Sequence, residues 1–197
     1  MSVKLTFVDS GDGSSTNVVY NFCSSMGNEK VKPIKGMPDS FNLMVGAPKI
    51  TTTTKSGKKI GRSKVWGVGV SMIKTELYGF LKLKSKKDDD GNETFPNGYC
   101  HFPMYNENYF LMLTAEKHTL VKNKKTGFAK HQWVKIRDRN EALDCRVYAR
   151  GAAYLLGIDR FKEHNWEQIK SSSMVFKTAV EVQSKKPAKK KSNFWDR

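Results

Sequence analysis

Three carboxylates sit where acids can act on phosphate chemistry. Asp9 closes the apolar run Phe7-Val8-Asp9, at the carboxyl end of a predicted strand, the place where open α/β sheets hold their ligands. Asp144 falls one turn inside the strongest helical pattern of the chain, between Leu143 and Cys145 and four residues before Tyr148. Glu141 sits in the first turn of that helix, where an acid simply complements the macrodipole. Glu116 is expected to end a helix over 106–116, where the dipole disfavours a negative charge. A strand-end Asp and two helical acids in a basic chain suit carboxylates that hold Mg²⁺ beside phosphate. Solvated surface acids account for the same three residues, and spacing alone does not choose between the two.

Other chemistries find less support. His101, His118, His131 and His164 lack the HExxH pattern of a zinc site. Ser10 follows Asp9 and lies in no GxSxG elbow. Gly11-Asp12-Gly13 is a fragment of a dinucleotide loop without its third glycine, and no GxxxxGK[ST] stretch marks a P-loop. Asp88-Asp89-Asp90-Gly91 lacks calcium-loop spacing and reads as a solvated turn. The three cysteines, Cys23, Cys100 and Cys145, form no CxxC pair, so a reducing compartment is expected rather than a disulfide scaffold.

These residues must be positioned by a chain of 197 residues, a length that favours one domain with an extension. Lys and Arg number 35 against 19 Asp and Glu, a net charge of +16, with a mean hydropathy of −0.59. Residues 184–197 carry six basic side chains against Asp196, so most of the excess lies in the body of the chain. Nucleic acid is the commonest partner for such a field. No apolar run approaches the roughly 20 residues of a membrane span, and the first residues lack a signal-peptide pattern.

Alternation predicts strands at 3–8, 30–35, 65–70, 99–102 and 128–137. Helical spacing predicts helices at 15–26 (on Val18, Val19 and Phe22), 72–81, 106–116 and 140–156. Leu143, Val147 and Leu155 form the stripe of the last helix, Asp138 with Glu141 suggests a capping box at its start, and Gly157 closes it. Residues 37–64 read as a basic loop or hairpin carrying Lys55, Lys58, Lys59, Arg62 and Lys64. The expected division is an α/β domain over 1–157, a helical extension over 158–183 and a basic tail over 184–197. Strands that alternate with helices define the α/β class.

One ordered set of stretches carries a family resemblance. It comprises Phe7-Val8-Asp9-Ser10-Gly11, Val19-Tyr20-Asn21-Phe22-Cys23, Ile34-Lys35-Gly36, Val68-Gly69-Val70 with Lys74 and Leu77-Tyr78, Gly98-Tyr99-Cys100-His101-Phe102-Pro103, Tyr109-Phe110, Leu113-Thr114-Ala115-Glu116-Lys117, and Arg139 through Ala149. Over about residues 5–157 the chain resembles the C-terminal nuclease region of the large terminase subunit of lambda-like tailed phages, which cuts and packages viral DNA. The resemblance implies an RNase H/RuvC-like sheet whose acids bind two divalent ions, Mg²⁺ or Mn²⁺. By position, Asp9, Glu116 and Asp144 would be the metal-binding catalytic acids, and Lys74 a contact to the phosphate or transition state. Lys35 and the cluster Lys55, Lys58, Lys59, Arg62 and Lys64 would hold duplex DNA.

The chain departs from the family pattern in two places. The family's domain opens with a strand bearing its own metal-binding Asp, upstream of the part that matches Val3–Asp9, and Ser71 stands where the family often has Asp. The expected partners are therefore double-stranded DNA and a chain supplying the motor and first nuclease strands. The small terminase subunit and a portal are further expected partners, all in the host cytoplasm with no membrane. The Lys185–Lys191 stretch is expected to be a disordered basic tail, with docking on the portal as the alternative. The competing expectation is a DNA-binding or packaging-accessory module that does not cut, or half of a nuclease.

Overall fold

The computed structural model describes residues 3–27, 29–46, 49–53 and 59–171. They fall into two compact units, Lys4–Leu156 and a second that includes the described residues from Gly157 onward.

In the first unit, β1 (Thr6–Asp9), α1 (Thr16–Ser25) and β2 (Val31–Gly36) make a βαβ turn. β1 and β2 pair in parallel, from Thr6 opposite Val31 to Asp9 opposite Ile34. Buried Ser10 prolongs that pairing: its N–H and its Oγ both donate to the Ile34 carbonyl, at 2.9 and 2.7 Å. A serine after Asp9 is thus accounted for by structure, not by nucleophilic chemistry. β3 (Met44–Val45), β4 (Lys49–Thr53), β5 (Lys59–Lys64) and β6 (Trp66–Val68) follow. β4 and β5 form an antiparallel hairpin inside the region expected to be a basic loop or hairpin. β6 runs parallel to β2 and antiparallel to β3, so the main sheet has the order β1-β2-β6-β3.

α2 (Val70–Phe80), the short strands β7 (Lys86–Lys87) and β8 (Glu93–Thr94), and α3 (Glu107–Leu113) lead to an antiparallel ribbon. That ribbon is β9 (Glu116–Lys122) with β10 (Ala129–Lys135), and α4 (Glu141–Leu155) closes the unit. Ile34 and Val68 from the sheet meet Ile73 and Leu77 of α2, Leu113 of α3 and Leu143 and Val147 of α4 in one apolar cluster. Full burial of a side chain such as Leu143 contributes roughly 1.5–3 kcal/mol. α4 lies so close to the sheet that a Cβ at Gly151 would stand 3.1 Å from Val68 Cγ1 and 3.5 Å from Phe7. The architecture is mixed α/β, as the alternation of patterns predicts.

Several local expectations are corrected. The helix expected to reach Glu116 stops at Leu113. The Ala115 carbonyl accepts the N–H groups of Ile136 and Arg137 instead, so Glu116 begins a strand. The strand expected at 99–102 is absent, and Phe95, Tyr99 and His101 pack their rings against one another there. α1 buries Tyr20 and Cys23, whereas Val18 is 70% and Phe22 48% exposed. A short amphipathic helix carries apolar residues on two faces, and the sheet selects one of them. No capping box forms at α4: Asn140 is the N-cap residue and makes no side-chain cap bond. Leu155 is only partly buried, its place on the stripe being taken by Gly151 and Ala152. Gly157 follows α4 at φ +79°, the left-handed conformation that lets glycine end a helix.

In the second unit, a 3₁₀ turn at Ile158–Arg160 precedes helical residues 163–171, where Phe161 and Trp166 meet edge to face at 5.3 Å. The proposed tail over 184–197 lies outside the described residues. No described helix is long and apolar enough to cross a membrane.

Candidate active site

α4 carries a polar stripe at helical spacing on the side that turns toward the sheet ends and β9: Asn140, Asp144 and Tyr148. Each member meets an element far away in sequence. The Tyr148 hydroxyl donates to Asp9 Oδ2 at 3.2 Å, across 139 positions. The Asn140 amide donates to Glu116 Oε1 at 3.1 Å. Asp144, between them, makes no side-chain hydrogen bond to a described residue. Asp9, Asp144, Glu141, Cys145 and Tyr148 line one open cleft of about 540 Å³ between β1 and α4.

The second half of the site is a buried ion pair. Lys74 of α2 reaches Glu116 Oε2 at 2.7 Å, with both side chains about nine-tenths buried. One turn further along α2, the Tyr78 hydroxyl donates to the Glu116 carbonyl at 2.5 Å. Lys74 and Tyr78 thus hold the side chain and the backbone of the same residue. The opposed charge, together with Asn140, offsets the cost of burying this carboxylate.

Electrostatics tie the two halves together. Burial, then the neighbouring Glu116 and Asp9 carboxylates, push the Asp144 carboxyl above its ordinary value, while Lys74 and Lys135 pull it back. Burial first, then Asp9 and Asp144, likewise raise the Tyr148 phenol, so it stays protonated and able to donate. Asp9 itself is exposed and held at its other oxygen by the Gly11 N–H at 2.8 Å. A Cβ at Gly11 would stand 3.1 Å from that oxygen, a close approach that glycine permits.

The expected residues divide as follows. Asp9 and Asp144 share the cleft; Lys74 and Glu116 pair beside it and engage each other. Among the described residues no group of three His, Cys, Asp or Glu side chains is arranged to hold a metal ion. Asp9 and Asp144 are hard oxygen donors of the type Mg²⁺ and Mn²⁺ take. Lys35 is half-buried in β2, and Lys64 is exposed at the end of β5; neither lines the cleft. Lys59 and Arg62 belong to β5, with Arg62 opposite Thr51, while Lys55 and Lys58 lie outside the described residues. Sequence reasoning missed Asn140, Tyr78 and Tyr148 as partners of the acids. The signal was present, because Asn140–Asp144–Tyr148 and Lys74–Tyr78 each repeat every four residues on a helix.

Within this mixed α/β unit, Asp9 at the carboxyl end of β1 and Asp144 of α4 thus line one cleft, at the edge where open α/β sheets hold their ligands. Its family follows from comparison: the model of the terminase large subunit gpA endonuclease domain matches residues 1–166, and the chain belongs to that family. It is also 31% identical over 166 residues to the terminase large subunit of Escherichia phage lambda, covering 82% of this chain. The chain spans about a quarter (23%) of the length of that relative. No solved structure matches.

Proposed function

We propose that this chain is the endonuclease part of a phage DNA-packaging terminase, hydrolysing phosphodiester bonds of double-stranded viral DNA in the host cytoplasm, with Mg²⁺ or Mn²⁺ at an RNase H/RuvC-like site. The carrying observation is the meeting of Asp9 and Asp144 in one open cleft beside Lys74; membership of the endonuclease family agrees with it. The parallel order β1-β2-β6, with α1 crossing between β1 and β2, is compatible with an RNase H-like sheet.

Asp9 and Asp144 are the residues that would hold the divalent ions, two in the family's pattern. When bound, such ions supply Lewis-acid stabilisation of phosphoryl oxygens and a more acidic water. The chain's own groups do the rest. Tyr148 and the Gly11 N–H fix the Asp9 carboxylate, and Glu116, itself held by the Asn140 amide, holds the Lys74 ammonium near the cleft, where its positive charge favours a phosphate. Glu116 is thus a positioning residue for Lys74 and joins the acids only by leaving that pair. Lys35 and the basic hairpin of β4 and β5 supply further contacts to the DNA backbone. The motor, the small terminase subunit and a portal are partners of the assembled machine.

A plasmid-nicking assay with Mg²⁺ or Mn²⁺ on the whole chain, beside Asp144→Ala, tests this reading. Cutting by the wild type and its loss in a folded variant supports it. Salt-sensitive duplex binding without any cutting supports the second reading, a packaging-accessory module or a half-nuclease awaiting another chain. The engagement of both Glu116 oxygens favours that alternative.

A further inference from the structure

The β9–β10 ribbon is left over once the acid site is described. It begins at that site, on the rung where Glu116 faces Lys135, and runs seven residues to Lys122 opposite Ala129. At about 3.4 Å per residue this is a reach of roughly 20 Å. Its base is fixed: the Tyr78 ring meets Trp133 at 4.7 Å, and Tyr78 also bonds the Glu116 carbonyl. Beyond that rung, His118 and His131 lie at 5.2 Å from each other and are exposed, as is Leu120 at 57%. The ribbon pairs with no other strand among the described residues. A lone two-stranded hairpin is only marginally stable in water, so its outer half gains from a surface laid against it.

Charge and shape indicate which surface that is. Residues 116–135 contain six lysines and one acid, Glu116. Lys130 pairs with Asp39, and Lys135 donates to the Asp138 carbonyl at 2.8 Å. Lys117, Lys122, Lys124 and Lys125 form no ion pair with a described residue. The tip is a built turn: Asn123 Oδ1 accepts the N–H groups of Lys125 and Thr126 at 2.8 and 3.2 Å, with Gly127 at φ +76°. Beside it Phe128 stands 80% exposed. A two-stranded ribbon fits the major groove of B-DNA, and lysines along it neutralise phosphates on either side.

We propose that the β9–β10 ribbon is an arm that grips duplex DNA next to the cut bond, with Lys122, Lys124 and Lys125 on phosphates and Phe128 as the apolar contact at its tip. It places roughly six base pairs of duplex between the acid site and the tip. The proposal rests on the reading of DNA as substrate, and it adds a surface separate from Lys35 and the β4–β5 hairpin.

The test is fluorescence-anisotropy binding of a 30-base-pair duplex (a probe length of about 30 bp, several times the ribbon's reach) to the whole chain in EDTA, across a salt series. Triple substitution of Lys122, Lys124 and Lys125 to Ala is expected to weaken binding at least about tenfold and to flatten the log K against log salt slope by about 3. Phe128→Ala should weaken binding a few-fold at an unchanged slope. The comparison variant, Lys84, Lys86 and Lys87 to Ala, removes three lysines elsewhere and should leave the slope near wild type. Equal losses in both triple variants would mean general basic attraction and overturn the arm. Unchanged binding in the ribbon variant overturns it as well, while leaving DNA as the substrate. Absence of any duplex binding by the wild type removes the DNA reading and the arm together. Melting curves within a few degrees of wild type exclude misfolding, since all three side chains are exposed.

Discussion

Glu116 and Asp144 are both acids within one basic unit, and the fold treats them in opposite ways. Glu116 is buried, but each oxygen has a donor: Lys74 on one, Asn140 on the other. Asp144 is half-buried beside two other carboxylates, with no hydrogen bond to a described residue and its carboxyl raised above the ordinary value. One acid has been given its counter-charge by the chain; the other has been left wanting one. The difference teaches that burial alone does not decide whether a carboxylate lacks a counter-charge; the donors that the fold brings to its oxygens do.

The sharpest way to break this contrast is to remove the counter-charge. Lys74→Met leaves Glu116 buried beside Asn140 alone and should cost about 3 kcal/mol, a fall of roughly 10 °C in Tm by calorimetry. An unchanged Tm would mean that Glu116 turns out to solvent without cost. Asn140→Leu withdraws the second donor and should destabilise by about 1–2 kcal/mol, measured by urea unfolding.

Asp144→Asn pushes the other way. A carboxyl raised in the folded state binds its proton more tightly there than in the unfolded chain. Its contribution to stability therefore falls as pH rises from the ordinary carboxylate range through the raised value. The variant should melt higher than wild type at pH 7, with the gap closing in acid, while nicking is lost. Thermal melts from pH 3.5 to 8 check the sign, and a variant that melts lower at every pH would contradict it. The smallest effect on stability is expected for Tyr148→Phe, which removes one donor from exposed Asp9 and should cost under about 1 kcal/mol. Because it frees the Asp9 carboxylate to turn, cleavage should slow about tenfold. A nicking time course separates that loss from the small change in melting.

Much of the architecture can be read along the chain because its signals are local. The alternation at β1, the turn after Asp9, the periodicity of α4 and the closing Gly157 each depend on neighbours a few residues apart. The same holds for Asp9 at a strand end and Asp144 inside a helix. The misjudged parts have a common physical origin. α1 has apolar residues on two faces, and only packing against β1 and β2 selects Tyr20 and Cys23. Glu116 sits at the junction of two patterns, and its change from helix to strand depends on Ala115 pairing with Ile136 and Arg137, some twenty residues later.

By itself, then, the sequence determined the mixed α/β pattern, the basic field, the four-residue stripes on α2 and α4, and the family to which the chain belongs. Tertiary structure alone decided that Lys74 meets Glu116 across 42 positions and that Tyr148 meets Asp9 across 139. It also decided that Asp144 stands between those two pairs without a donor. Spacing fixes what shares a face of one helix, whereas the partner of that face follows from the sheet order β1-β2-β6-β3 and the burial that holds α4 against it.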